Sequence, residues 1–378
     1  MKKHSLWRVL AINPGSTSTK VALFENEVPT LQDTLRHEAE ELSAFPNIPS
    51  QFSFRLGTVL NWLKSNGVRI ETLDAVVGRG GLLGPLESGT YPVNEVMLEE
   101  MRAVGQREHA SNLGVLMAHE IAGIANIPAF TVDPVTVDEL HDLARVSGLA
   151  GIERRSISHA LNIKAVARRG AAERSACYED LNLIVAHLGG GISVTAHQKG
   201  RMVDVSGGLD AGPFSPERTG SLPLLDVVEL CFQGAALGKA EIKRKLIGQG
   251  GLVSYLGTNS AIEVGRRMRE GDASARLVAE AMAYQIAKEI GAMAAVLKGD
   301  VDAVILTGGV VHWQELVEWI RERTGFIAPV WVHPGEDEML ALAQGALRVL
   351  RGEAPARSYT QTAPVPDPKT ILQGAVEK

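Results

Sequence analysis

Residues 8–24 read RVLAINPGSTSTKVALF: an apolar run to Ile12, a turn of Asn, Pro, Gly and small hydroxyls, and a second apolar run from Val21. Two strand-length apolar runs around a Gly turn predict an antiparallel pair, with a third strand after the break at ENEVPT (25–30). The plan recurs in LNLIVAHLGGGISVTAHQKGRMVDVSG (181–207), which gives strand, Gly turn, strand, Lys-Gly turn and strand. A further stretch, VDAVILTGGVVHWQELVEWIRERTG (301–325), sets Gly308 and Gly309 between an apolar strand and an amphipathic helix marked by Leu316, Val317 and Ile320. A helix N-terminus directly after those glycines is expected, a place that favours anions. Helices are also predicted over 51–66, 111–125, 156–169, 274–297 and 337–351. Strands alternating with helices in two similar halves predict a duplicated α/β protein, with ligands in a cleft between domains. The domains are expected at 1–150 and 151–350, with the helix from about 338 packing back on the first. The polar, Pro-rich tail 352–378 is expected to be extended or partly disordered.

Composition narrows the functions. The 378 residues carry 38 basic and 44 acidic side chains, a net charge of −6, so no broad cationic field favours nucleic acid or an anionic membrane. An anionic ligand must therefore meet locally placed Arg, Lys or metal. The two cysteines, Cys177 and Cys231, lack metal or redox spacing and form no disulfide framework. The first apolar stretch is cut by Arg8 and has no cleavage site, and the longest later one is interrupted by Glu280, Lys288 and Glu289. Neither reads as a leader or a membrane span, and a cytoplasmic protein is expected.

Two nucleotide fingerprints are excluded. GSTSTK (15–20) ends in Lys20 like a P-loop but lacks the Gly before Lys and runs into a strand, and GGG (189–191) likewise leads into a strand, not the helix of a dinucleotide fold. A Gly/Ser/Thr turn between antiparallel strands, used twice, still offers backbone N–H and hydroxyl donors to phosphate. On that basis Gly15, Ser16 and Thr17 of the first turn and Gly189, Gly190 and Gly191 of the second are candidate phosphate contacts. Asn13 either orients a phosphate or metal-bound water or makes an Asx turn before Pro14. Arg79, between glycines after an apolar strand, and Arg218, in GPFSPERTG (212–220), are placed to grip a carboxylate or phosphate, the alternative being solvated loop arginines. Arg145, Arg154 and Arg155 read as a solvated face. Asp133 ends an apolar strand before Pro134 and is expected to project at its C-terminal edge. Glu336, Asp337 and Glu338 open a helix, where capping alone would also choose acids. Asp133 with one of them would hold Mg²⁺ through water. His109, His159 and His187 have no zinc spacing.

Taken in order, NPGSTSTK, GRGGLL, EHASNLG, VDPVTVDE, HLGGGIS, GPFSPERTG, LTGGV and PGEDEMLALA resemble the butyrate kinases within the acetate kinase group, from about Arg8 to about Arg351. That resemblance implies two duplicated domains of the actin, hexokinase and chaperone-ATPase (ribonuclease H-like) type with a central cleft. It implies transfer of phosphate from ATP to butanoate or a similar short carboxylate, with Mg²⁺, and a homo-oligomer. Carried over by position, Asn13 and its turn belong to the phosphate and metal site. Arg79 and Arg218 hold the carboxylate and the phosphoryl group, with His109 beside the acid. Asp133 positions Mg²⁺ with Glu338 or Glu336. His187 with Gly189–Gly191, and Gly308, Gly309 and Val310, match the phosphate and adenosine elements. Two places depart from the pattern: Arg155 in RRSISH (154–159) stands where acetate kinases carry a His, and Gly78 where close butyrate kinases carry Ser.

Such a reaction brings two anions together, and at ~4 Å unit charges repel by about 4 kcal/mol at an effective dielectric near 20. Arg79, Arg218 and Mg²⁺ would offset this. An ionised carboxylate needs no general base, and none is evident, which disfavours a sugar kinase of the same fold. The alternatives are an acetate or propionate kinase and, in another class, a non-catalytic ATP-gated scaffold.

Overall fold

The computed structural model describes residues 6–102, 109–209, 211–232 and 238–360. The chain forms two compact units, Met1–Asp138 with Asp337–Lys378, and Glu139–Glu336. The contacts thus divide the chain after Asp138 and again after Glu336, where sequence alone suggests 150 and 350 with the helix from about 338 returning to the first domain.

The first unit is built on a six-stranded sheet. Its strands are β1 (Arg8–Pro14), β2 (Ser18–Glu25), β3 (Val28–Arg36), β4 (Ala75–Gly78), β5 (Thr90–Pro92) and β6 (Ala129–Val132), in the order β3-β2-β1-β4-β6-β5. β1, β2 and β3 form an antiparallel meander, and β4 adds parallel to the other side of β1. A strand paired on both sides and covered on both faces reads as continuously apolar. Val9–Ile12 are accordingly 0% exposed. The helices Asn112–Ala125 and Glu338–Leu350 pack on β1, β4 and β6. Leu10 and Ile12 join Val59, Trp62, Leu63 and Leu113 in one core.

The first part of the tail, irregular as expected, is anchored by its last described residues. Tyr359 is buried, its hydroxyl accepts from the Gly84 amide and donates to Glu100, and the Arg357 amide donates to the Thr90 carbonyl. An aromatic that can bury its ring and partner its hydroxyl outweighs the local preference of a Pro-rich segment for solvent. Residues 361–378 lie outside the described residues.

The second unit repeats the plan with β7 (Asn182–Leu188), β8 (Ile192–Gln198), β9 (Arg201–Val205), β10 (Ala303–Gly308) and β11 (Val330–Pro334), ordered β11-β10-β7-β8-β9. Again three strands form an antiparallel meander and parallel strands extend the sheet from the first. The helix Ala273–Val296 starts where the Asp272 carboxylate caps the Ala275 amide. It lays Ala279, Met282, Ala283, Ile286 and Ile290 into the core. No described helix is long and apolar enough to cross a membrane.

Two local expectations are corrected. The glycines at 308–309 do not abut the amphipathic helix: a 3-10 turn, Gly309–His312, intervenes and the helix runs Gln314–Thr324. Gly308 sits at φ +100° with its α-carbon against the Leu188 carbonyl, where an added Cβ would lie 2.3 Å away. Close approach of β10 to the end of β7 is what requires that glycine. The helix expected at 156–169 begins at Ala160, because Ser156 and Ser158 are buried in the preceding loop. There Arg154, exposed as expected with its side chain at 40%, also donates to Asp204 at 2.9 Å and to the Ala144 and Val205 carbonyls. Arg155 is exposed.

Candidate active site

In the first unit the ends of β1 and β4 lie side by side, and the Glu338 helix begins against them. Asn13, 7% exposed, donates its side-chain amide to Glu338 Oε2 at 2.7 Å, and Arg79 donates to Glu338 Oε1. Residues 325 positions apart in sequence are thereby gathered around one carboxylate. Lys20 is exposed on β2, opposite Asn13 in register.

Arg79 is placed by glycines. An added Cβ at Gly78 would lie 2.0 Å from the Gly114 carbonyl oxygen, and one at Gly114 would lie 2.4 Å from the Arg79 oxygen. The strand end and the start of helix Asn112–Ala125 therefore touch backbone to backbone. Gly81 is equally confined, by Asn112, whose side chain accepts from the Leu82 amide at 3.0 Å. Nothing larger fits at position 78. Gly78→Ser should destabilise the protein by about 3 kcal/mol or more, at the upper end of overpacking costs, because the obstacle is backbone. A thermal melt within about 2 °C of wild type would contradict this, since 1 kcal/mol moves Tm by somewhat over about 1 °C in a chain of this length, so that about 3 kcal/mol should lower it by about 4 °C.

Asp133 follows β6 and is held more firmly than a projecting edge residue. It is 2% exposed at φ +38°, and its Oδ1 accepts from the Ser88 hydroxyl and the Gly89 amide, both at 2.7 Å. An Asp in the left-handed region is tolerated where the surroundings over-determine it. His109, at the head of helix Asn112–Ala125, accepts the Ser111 amide at Nδ1 (3.2 Å), which puts its proton on Nε2.

The second unit gathers the other candidates around Gly189–Gly191. His187 accepts from Asn162 at Nδ1 (2.9 Å), so its Nε2 proton faces Glu336 Oε1 at 3.3 Å, and its ring stacks on His159 at 3.9 Å. Cβ atoms added at Gly189 and Gly191 would meet His187 and Glu336 at 3.1 Å and the Arg218 guanidinium at 2.3 Å. Ser215 ties the 212–220 loop to the turn by donating to the Gly190 carbonyl at 2.6 Å, and Arg218 donates to the Gly208 carbonyl. Burial lowers the Arg218 pKa from its usual value, with Glu217 opposing. A guanidinium remains charged all the same. Gly308 and Gly335 exchange amide–carbonyl bonds at 3.1 and 3.0 Å, so LTGGV and PGEDE meet. Beside them Gly309 and Val310, with Ile262, Gly265, Trp313 and Trp319, line a cavity of about 1060 Å³, ample for a nucleoside.

The two acids left as alternatives fall in different places: Glu338 joins Asn13 and Arg79, Glu336 joins His187. Among the described residues no group of three His, Cys, Asp or Glu side chains stands ready to chelate a metal. Asp133 and Glu338 fit Mg²⁺ bound through water, because their oxygens already accept protein hydrogen bonds and this ion keeps several waters. Residues not singled out from sequence orient the candidates within each unit: Ser88 holds Asp133 in the first, Asn162 and Ser215 hold His187 and Gly190 in the second, and buried Arg55 lies behind the first turn. A signal for Arg55 exists, since it occupies the apolar stripe of its helix with Val59, Trp62 and Leu63.

Two units, each a three-stranded meander extended by parallel strands with a Gly turn between its first pair, define the fold of actin, hexokinase and the heat-shock ATPases. Within that class, residues 148–323 match the model of the acetokinase family, so the chain is acetokinase-like over that segment. It is similar in structure to acetate kinase from Porphyromonas gingivalis (21% identity, TM-score 0.74, 91% of this chain and 100% of that one). It is also similar to a propionate kinase from Francisella tularensis subsp. tularensis SCHU S4 (19%, 0.70, 90% and 98%) and to acetate kinase from Entamoeba histolytica (17%, 0.72, 90% and 99%).

Proposed function

We propose that this protein transfers the γ-phosphoryl group of ATP to a short-chain carboxylate, giving an acyl phosphate and ADP by direct in-line displacement. The convergence of Asn13, Arg79 and Glu338 carries the proposal. It holds a guanidinium at a strand end, oriented by one carboxylate and with further N–H donors for an anionic substrate. Arg79 receives the acid with His109 beside it, and Arg218 neutralises charge on the phosphoryl group. Gly190 and Gly191 with Ser16 and Thr17 donate to phosphate, the Gly15 and Gly189 amides being spent on the Ser18 and Gly191 carbonyls of their own turns at 2.8 and 3.1 Å, and the Gly309–Val310 cavity takes the nucleoside. Asp133 and Glu338 would hold Mg²⁺ through water, Glu336 being the alternative acid. The metal supplies charge neutralisation at the phosphate oxygens when bound.

The acceptor oxygen is already ionised at neutral pH, so the step needs no base. Acetate and propionate are the first choice of acid, because the solved structures named above are acetate and propionate kinases. Butyrate, suggested by motif resemblance, is the second. The exposed Leu224, Leu225 and Phe232 on a helix with no buried residue support self-association.

Chain length is tested by kcat/KM for acids from formate to valerate with Mg-ATP. One methylene is worth about 1–3 kcal/mol, so neighbouring acids should differ by roughly 10–200-fold at most. ADP release that is independent of acid would contradict the proposal.

A further inference from the structure

Arg55 sits where an amphipathic helix should present an apolar side chain, and its exposure is 0%. Its Nε donates to Gln51 Oε1 at 3.0 Å. The other end grips the first turn: Nη1 donates to the Gly15 and Ser18 carbonyls at 2.8 and 3.2 Å and approaches Thr19 Oγ1 at 3.3 Å, while Nη2 donates to the Ser16 carbonyl at 2.8 Å. The Thr17 carbonyl is taken by the His37 amide at 3.0 Å. Every carbonyl from residue 15 to residue 18 therefore accepts a hydrogen bond from the protein, three of them from one guanidinium.

Carbonyl oxygens repel an anion and amides attract it, so a turn whose carbonyls are tied down presents its donors on the other side. The exposed Ser16 and Thr17 supply those donors. Charge points the same way. None of the partners of Arg55 among the described residues is a carboxylate, so a full positive charge is buried directly behind the turn. Its field reaches a neighbour: burial first and the Arg55 charge second lower the pKa of His37, against Glu41, and the His37 Nε2 lies 2.9 Å from Thr19 Oγ1. A hairpin with only a structural task does not require a desolvated cation.

We propose that Arg55 is a positioning residue for the nucleotide phosphates: it fixes the peptide planes of residues 15–18 and supplies beneath them a charge that a phosphate chain neutralises. This rests on the kinase reading given above.

The test compares Arg55→Lys, which keeps the charge without the fork, and Arg55→Gln, which loses the charge, each checked for folding by circular dichroism. Loss of hydrogen bonds to a charged group predicts KM for Mg-ATP up by about tenfold in the Lys variant and about 100-fold in the Gln variant, with KM for the acid within about twofold. Mg-ADP should stabilise both variants less than wild type in a thermal shift. If neither variant folds, Gln51→Ala loosens the guanidinium without touching the turn and should raise KM for Mg-ATP about threefold or more. Folded variants with wild-type KM for Mg-ATP, or equal rises for acid and nucleotide, would overturn the proposal. The thermal shift does not depend on turnover. Wild-type protein that is stabilised by Mg-ADP yet makes no acyl phosphate would sink the kinase reading alone, and Arg55 would still be judged by the shift. No stabilisation of wild type by Mg-ADP would overturn both.

Discussion

Replacing Arg79 by Ala should lower kcat by roughly 10²-fold or more, the scale of losing one preorganised donor to developing charge. Arg79 has a second task, because its guanidinium accounts for one oxygen of Glu338, whose side chain is only 11% exposed. Stranding a largely buried carboxylate is destabilising, so the Ala variant should also melt at lower temperature. Arg79→Ala combined with Glu338→Gln removes the stranded charge and should recover stability without recovering turnover. Arg79→Lys should remain severely impaired, since an ammonium is a point charge and cannot serve Glu338 and a substrate with one planar fork. Recovery of both stability and activity in the double variant would show that Arg79 serves folding only.

Arg218→Ala should cost a similar factor in kcat, roughly 10²-fold or more, by a different route. This side chain lies over Gly191, so close that a Cβ there would meet it at 2.3 Å, and its loop is anchored to Gly190 through Ser215. Truncation removes the charge beside the turn but leaves the loop anchored. Steady-state kinetics at saturating acid and Mg-ATP should therefore show the loss in kcat while the circular dichroism spectrum is unchanged. A variant with kcat within about threefold of wild type would remove Arg218 from the chemistry.

The fold was legible because its decisive signals are local. Apolar runs around a Gly turn specify a hairpin within 8–24 and again within 182–198, and repetition of that unit implies duplication before any tertiary contact is known. Candidate residues at strand ends, such as Asn13, Arg79 and Asp133, were legible for the same reason. What escaped is tertiary. The separate settings of Glu336 and Glu338 depend on the chain returning to its first unit at Asp337. The firm hold on Asp133 comes from Ser88 and Gly89, more than forty residues earlier. The burial of Tyr359 and Arg55 goes against residue type, since a Pro-rich tail reads as solvated and an Arg as surface. In each case hydrogen bonding to distant backbone or side chains offsets the desolvation that composition alone would warn against.

The most direct test of the central claim is chemical identification of the product. Purified protein with Mg-ATP and acetate, propionate or butyrate should yield one acyl phosphate, trapped as its hydroxamate, for each ADP released. Protein that is folded and stabilised by Mg-ADP yet gives no hydroxamate with any short acid would contradict the claim and leave an ATP-binding scaffold in its place.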